Sequence, residues 1–337
     1  MSEALHPEKG PFLGQMEPGE RFIGYYVLRN KQLETFRDAS RGHYLTLILS
    51  DRSGQMVGRV WEGAEQANEE LKTGDIVKVD GETETYLERV QIRINRVRAA
   101  DTNEYDLGDM LPRSERDPDE MMAEVQGFID GIDNAELRSL VDVFFTDANF
   151  LQRFMQAPAA KRVHHAYLGG LLEHTLEVLY LTQRVVEIYP QIDADLLYSG
   201  VLLHDIGKVR EYTWGMDIDY SDEGRLIGHI VLAEEMLNGA LASLPSFPEE
   251  LALRLRHMLL AHHGRHEWGS PRRPMTLEAI ALHHVENMSA QINRFDSLMA
   301  KRPVGESWTA YDRMLGRQLY AGDGDDDLSI EERSRNE

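Results

Sequence analysis

The stretch Leu202-Leu203-His204-Asp205-Ile206-Gly207-Lys208 carries an apolar helical run onto a histidine and an aspartate, and a Gly-Lys turn follows at once. Successive helical residues point about 100° apart, so His204 and Asp205 can meet one cation only where a helix is ending and its geometry loosens. A lone His-Asp pair is more often a buried hydrogen-bonded pair, so the weight falls on what surrounds it. Upstream, a helix running to about Tyr189 and stopped by Pro190 places His174 on one face with Leu171, Val178 and Leu181. The helix Asp195 to His204 carries Leu197, Val201 and His204 on one stripe. Downstream, His229 opens a helix whose face holds Leu232, Ala233, Met236 and Ala240, and Glu249 to His263 puts Leu255, Met258, Leu259 and His262 in phase before Gly264, the expected residue after a helix end. A last helix, Thr276 to Ala300, carries Ala279, Leu282, Glu286 and Ala290 inward.

Five helices thus each bring a ligand-type residue from an apolar stripe: His174, His204 with Asp205, His229, His262 and Glu286. Four imidazoles and two carboxylates suffice for two divalent ions about 3.5–4 Å apart, with Asp205 the natural bridging carboxylate. The chain contains no cysteine, so thiolate ligation and a disulfide framework are excluded. Imidazole with carboxylate leaves Zn, Mn, Fe or Mg open, of which Mn is the expected ion. The further histidines His164, His165, His263, His283 and His284 read as supporting or structural.

The 337 residues leave room for two or three domains, and 42% hydrophobic content can fill real cores. No apolar run is long enough to cross a membrane and the N-terminus lacks a secretory pattern, so a cytoplasmic protein is expected, without a membrane partner. The net charge of −22 argues against indiscriminate binding of polyanions. That acidity is unevenly spread: residues 20–100 balance 13 basic against 13 acidic side chains, whereas residues 321–337 hold 7 acids and 2 arginines.

The order of the chain is multidomain: a loose arm (1–18), a barrel (19–100), a polar linker (101–120), an all-α domain (121–320) and a disordered acidic tail (321–337). In the barrel region, short alternating segments at Phe22–Leu28, Tyr44–Leu49, Met56–Trp61, Ile76–Val79 and Arg89–Ile94, with a helical patch at Gly63–Leu71, suggest a small all-β Greek-key barrel. An OB-fold is the main candidate and an SH3-like barrel the alternative. Tyr44 through Gly54 leading into Val60-Trp61, then Gly74 through Gly81, resembles OB-fold modules that bind nucleic acid. Arg89 and Arg93 alternate with Val90, Ile92 and Ile94, and so offer a basic face for a phosphate backbone. Tyr25, Tyr26, Tyr44 and Trp61 are divided by strand parity between core and stacking roles. Beyond the linker, Met121–Ile129, Ala135–Phe145 and Phe150–Gln156 read as helices, and Asp217–Gly224 as a hairpin or loop.

The order His, His-Asp, His, His, acid, with His-Asp-Ile-Gly-Lys, resembles the HD phosphohydrolase superfamily. Gly169-Gly170-Leu171-Leu172-Glu173-His174-Thr175, His262-His263-Gly264 through Trp268-Gly269-Ser270-Pro271, Glu278-Ala279 and Leu282-His283-His284 resemble the YhaM-type 3′→5′ exoribonucleases over about residues 15–315. That resemblance implies an OB-fold followed by an all-α HD-type domain, two bound divalent metal ions and hydrolysis of single-stranded RNA from its 3′ end, with DNA and self-association left open. Asp205 and Lys208 would be catalytic, Lys208 by contacting a phosphate oxygen, and Arg265, Arg272 and Arg273 would hold the substrate backbone. Two positions depart from the pattern: where the family typically reads Asp-Asn-Leu-Asp, this chain has Glu286-Asn287-Met288-Ser289. Two rival readings are an HD phosphohydrolase for a small nucleotide or cyclic dinucleotide, and a nucleic-acid-binding protein with a decayed metal site.

Overall fold

Alternating apolar residues close a five-stranded barrel in the computed structural model, which describes residues 9–36, 38–86, 89–161, 165–214, 217–300, 302 and 306–322. The strands are β1 (Arg21–Thr35), β2 (His43–Asp51), β3 (Gly54–Val60), β4 (Ile76–Tyr86) and β5 (Arg89–Ala99), with α1 (Ala64–Glu70) between β3 and β4. Their order around the barrel is β1-β2-β3-β5-β4, closed by the parallel pairing of β3 with β5, so the OB-fold reading holds over the SH3-like one. Leu45, Leu47, Leu49, Val77, Val79 and Ile92 fill the interior, as the alternation requires.

β1 runs well past Leu28, where the sequence turns polar and the expected strand ended. A bulge between Leu28 and Asn30 bends it, so that its first half pairs with β4 and its second half with β2. The segment before β1 is pinned: Lys9 forms a buried ion pair with Asp51 at 2.7 Å, and the Tyr26 hydroxyl donates to the Pro11 carbonyl at 2.8 Å. In the polar connection, Met110 and Leu111 are buried, and Ser114 N–H donates to the Leu168 carbonyl. The tail from 323, residues 1–8 and His164 lie outside the described residues.

The second half is helical: α2 (Pro118–Asp130), α3 (Ala135–Phe145), α4 (Ala148–Gln156), α5 (Gly170–Ile188), α6 (Ala194–Leu203), α7 (Lys208–Glu211), α8 (Asp222–Leu226), α9 (His229–Ala242), α10 (Glu249–Ala261) and α11 (Leu277–Met299). A short hairpin, β6 (Tyr212–Trp214) with β7 (Ile218–Tyr220), precedes α8. Polar caps set the starts: Asp117, Asn134, Asp147, Asp193 and Thr276 each accept a backbone N–H in the first turn. Leu172, Leu176 and Leu179 of α5, Leu197 and Val201 of α6, Leu255 and Leu259 of α10, and Leu282 of α11 share one core. The ligand-type residues project from this core's edges, so packing that stabilises the domain also fixes their positions.

Among the described residues, no helix is long and apolar enough to cross a membrane.

Candidate metal centre

α6 ends at Leu203, and His204 to Gly207 form a turn before α7. That turn lies tight under α9, because a Cβ on Gly207 would stand 2.1 Å from the His229 carbonyl oxygen and 2.6 Å from the Ala233 nitrogen. Only a glycine fits there, and the close approach carries His229 to Asp205.

Asp205 is the hub, and it is buried. Its Oδ2 lies 3.2 Å from His204 Nε2 and 3.7 Å from His174 Nε2; its Oδ1 lies 3.6 Å from His229 Nε2 and 3.8 Å from His262 Nε2. Each carboxylate oxygen therefore faces two imidazoles. Lys208 Nζ, also buried, stands 2.6 Å from Oδ2. Two groups of donors sit within 4.8 Å of one another, His174 with His204 and Asp205, and His229 with His262 and His263.

The far side of each ring settles its tautomer. His204 Nδ1 is 2.6 Å from the Val201 carbonyl, His262 Nδ1 is 2.7 Å from the Leu259 carbonyl, His263 Nδ1 is 2.9 Å from the Trp268 carbonyl, and His229 Nδ1 is 3.0 Å from Glu211 Oε1. Carbonyls and carboxylates only accept, so Nδ1 is the donor in all four and Nε2 is left with a lone pair when the ring is neutral. Among the described residues, the buried Nε2 atoms of His204, His229 and His262 have no hydrogen-bond partner, nor has Asp205 Oδ1. Buried acceptors without donors are costly, and inward-aimed lone pairs around a carboxylate fit a divalent cation. Sequence, donor chemistry and geometry therefore agree that these residues could hold divalent metal.

Electrostatics set His204 apart from the other buried rings. Burial pushes His174 and His262 far below the ordinary imidazole range, and burial followed by the neighbouring His229 lowers His263 to about 4. All three are neutral at physiological pH, the form that ligates metal. Burial alone would raise Asp205, but the adjacent His204 imidazole and the Lys208 ammonium outweigh it and hold the carboxyl well below its usual range; against its own burial, His204 is raised in turn by the Asp205 charge, so the metal-free ring favours a proton that a bound cation would replace. Glu286, buried on α11, is pushed up to about 7 by burial and then by the Asp205 charge. Glu286 thus lies within electrostatic reach of the hub, yet it belongs to neither donor group.

His263, which reads in the sequence as supporting or structural, lies within the second donor group. The signal was present: α10 ends at Ala261, so His262-His263 sits at a loosening helix end just as His204-Asp205 does. Glu211 was not singled out; it accepts both the His229 backbone N–H and the His229 Nδ1–H, each at 3.0 Å. Arg265, Arg272 and Arg273 are exposed on the loop after α10, where the Arg265 guanidinium lies 4.9 Å from the Trp268 ring.

On the barrel, Tyr25 and Tyr26 point to opposite faces of β1 and both are buried, Tyr26 in the barrel core and Tyr25 in a second cluster with Met110, while Tyr44 and Trp61 are half-buried at the surface. Phe36, Tyr44 and Trp61 form a cluster with ring centroids 5.1–5.7 Å apart. The Arg59 guanidinium lies 5.7 Å from Trp61 and 5.1 Å from Tyr86, and Arg41 lies over Phe36 at 4.4 Å. Arg93 is aligned with Arg59 across the β3–β5 pairing and forms an ion pair with Glu82 at 3.1 Å. Arg89 pairs with Tyr86 in the strand register, and its side chain lies outside the described residues. The aromatic cluster thus joins a residue of β2 to the residues that follow β1 and β3.

Comparison with known proteins matches residues 171–291 to the HD domain family and residues 27–100 to an OB-fold nucleic acid binding domain family. The chain is 34% identical over 306 residues to the 3′-5′ exoribonuclease YhaM of Bacillus velezensis, spanning 90% of this chain and 96% of the relative. It is 33% identical to that of Bacillus subtilis with the same coverage. With the YhaM of Shouchella clausii it shares 32% identity over 289 residues, 86% of this chain and 89% of the relative.

Proposed function

The chain belongs to the YhaM family of 3′-5′ exoribonucleases, and from that premise we propose that it is a metal-dependent phosphodiesterase releasing nucleotides from the 3′ end of single-stranded RNA. The observation that carries this reading is the division of the four imidazoles between the two oxygens of Asp205. Asp205 would bridge two divalent cations, one held with His174 and His204, the other with His229, His262 and His263. Mn fits this imidazole and carboxylate set, as do Fe, Zn and Mg. When bound, the cations supply Lewis-acid polarisation of the scissile phosphate and neutralise charge developing on it.

The chain's own residues do the rest. Asp205 and the rings of His174, His204, His229, His262 and His263 would hold the cations, supported by the groups behind each Nδ1. Lys208 keeps Asp205 ionised and is the nearest buried cation for a phosphate oxygen, a contact that competes with its pairing to Asp205. Glu286 supplies a second acid beside the site. Arg265, Arg272 and Arg273 would contact the substrate backbone near the centre. On the barrel, Phe36, Tyr44 and Trp61 would stack bases while Arg41, Arg59 and Arg93, with Arg89, track phosphates; such stacking tolerates any sequence because every base has a π-face. The reaction is proposed to take place in the cytoplasm.

The test is digestion of a single-stranded RNA labelled at its 5′ end, with Mn, Mg or Zn added or with chelator. The expected result is a ladder shortening from the 3′ end only with metal. Immediate release of labelled mononucleotide, internal cuts, or turnover confined to small phosphate esters would overturn the reading.

A further inference from the structure

Four of the five imidazoles at the centre lean on an acceptor whose nature leaves no choice of tautomer. His174 differs, because its Nδ1 lies 3.1 Å from a hydroxyl, Ser289 Oγ, which can donate or accept. What the hydroxyl does is decided one atom further on. Ser289 Oγ donates to Glu177 Oε2 at 2.6 Å, and its single proton is then used. Toward His174 only a lone pair remains, so Nδ1 must be the protonated nitrogen and Nε2 the one facing Asp205.

We propose that Ser289 and Glu177 form a two-residue relay that positions His174 for metal binding, supplying through a hydroxyl the negative charge that Glu211 gives His229 directly. The placement follows from the helices. Glu177 stands one turn after His174 on α5, and Ser289 stands one turn after Glu286 on α11, so the facing helices bring acid, hydroxyl and imidazole into line. Glu177 is itself held from behind, with Oε1 lying 3.2 Å from His165 Nε2. His165 is buried and has φ of 44°, a left-handed conformation unusual for a residue with a side chain, and its backbone N–H donates to Asn293 Oδ1 at 2.8 Å. Burial favours the neutral form of Glu177, but the hydrogen bonds from His165 and Ser289 keep its carboxyl below the usual value, so the relay ends on a charge. Serine at 289, where the family pattern has an acid, is therefore compatible with an intact site, because the acid sits one hydrogen bond away on α5.

This inference rests on the metal-site reading, and calorimetric titration of the metal-stripped full chain with Mn tests the two separately. Wild type, Ser289→Ala, Ser289→Thr, Glu177→Gln and the double variant Ser289→Ala/Glu177→Gln are compared, with the melting temperature of each metal-free protein as a control. Loss of a group supporting a metal-bound histidine typically weakens affinity 10- to 100-fold. Ser289→Ala is expected to lose affinity in that range for one site, Ser289→Thr to restore it through its hydroxyl, and the double variant to fall no further than Ser289→Ala. Wild-type affinity in Ser289→Ala, failure of Ser289→Thr to rescue, or additive losses in the double variant would overturn the relay. Absence of Mn binding in the wild type would instead overturn the metal-site reading.

Discussion

Replacing Asp205 with Asn keeps the shape of the hub and removes its charge, which separates two roles that the structure assigns to one side chain. The first is structural. Lys208 is 4% exposed and has its ammonium 2.6 Å from Asp205 Oδ2, so neutralising Asp205 leaves a buried cation unpaired. Breaking one side of a buried ion pair costs about 3–5 kcal/mol. For a helical domain of this size each kcal/mol lowers the transition by about 2–4 °C, so a drop of about 6–20 °C is expected in the metal-free protein. The second role is ligation, and there the variant should lose bound metal and RNA hydrolysis together. Adding Lys208→Met to Asp205→Asn should return most of the lost stability, since no buried charge is then orphaned, while metal and activity stay absent. Calorimetric melting with metal analysis reads both. Melting of Asp205→Asn within about 2 °C of wild type, or recovery of activity in the double variant, would rule out these two roles for Asp205.

Further expectations concern neighbours of the hub and the barrel. Glu286→Gln should weaken one metal position by at least about 10-fold, the scale typical even of supporting groups, whereas Glu286→Asp should retain it; equal Mn midpoints for the three proteins would remove Glu286 from the site. Trp61→Ala should weaken binding of a long single-stranded RNA by about 1–3 kcal/mol, measured by fluorescence anisotropy without metal, and leave hydrolysis of a small phosphodiester unchanged. Gly207→Ala should cost about 1–3 kcal/mol or more and depress metal affinity, because its Cβ meets backbone of α9, which carries His229. Gly200→Ala should be milder, since its Cβ meets the Met258 Cε, the end of a flexible side chain; equal losses in melting temperature for the two would contradict this packing argument.

What could be read in advance depended on periodicity. Leu171, His174 and Val178, or Leu255, Leu259 and His262, declare their face by spacing alone, and the polar caps with Pro190 and Gly264 mark the ends, so the helices and the inward histidines were legible. Whether those histidines meet was not, because spacing gives a face and not a distance. The convergence on Asp205 depends on α9 crossing over Gly207, a tertiary contact. His263 reads apart from His262 because a continuous helix to residue 263 would turn the two rings about 100° from each other, whereas α10 stops at Ala261 and both rings fall in one donor group. The continuation of β1 past Leu28 was hidden by Arg29-Asn30-Lys31-Gln32, polar residues that a bulged strand tolerates. Glu177 and Glu211 were invisible as supporting groups, since each is recognised only by the imidazole or hydroxyl that another part of the chain brings to it.

The central claim is that one carboxylate, Asp205, organises two cations. Anomalous diffraction from crystals of the full chain grown with Mn tests it most directly. Two peaks are expected, one beside each Asp205 oxygen, the first against His174 and His204 and the second against His229 and His262. A single peak, or peaks away from Asp205, would contradict it.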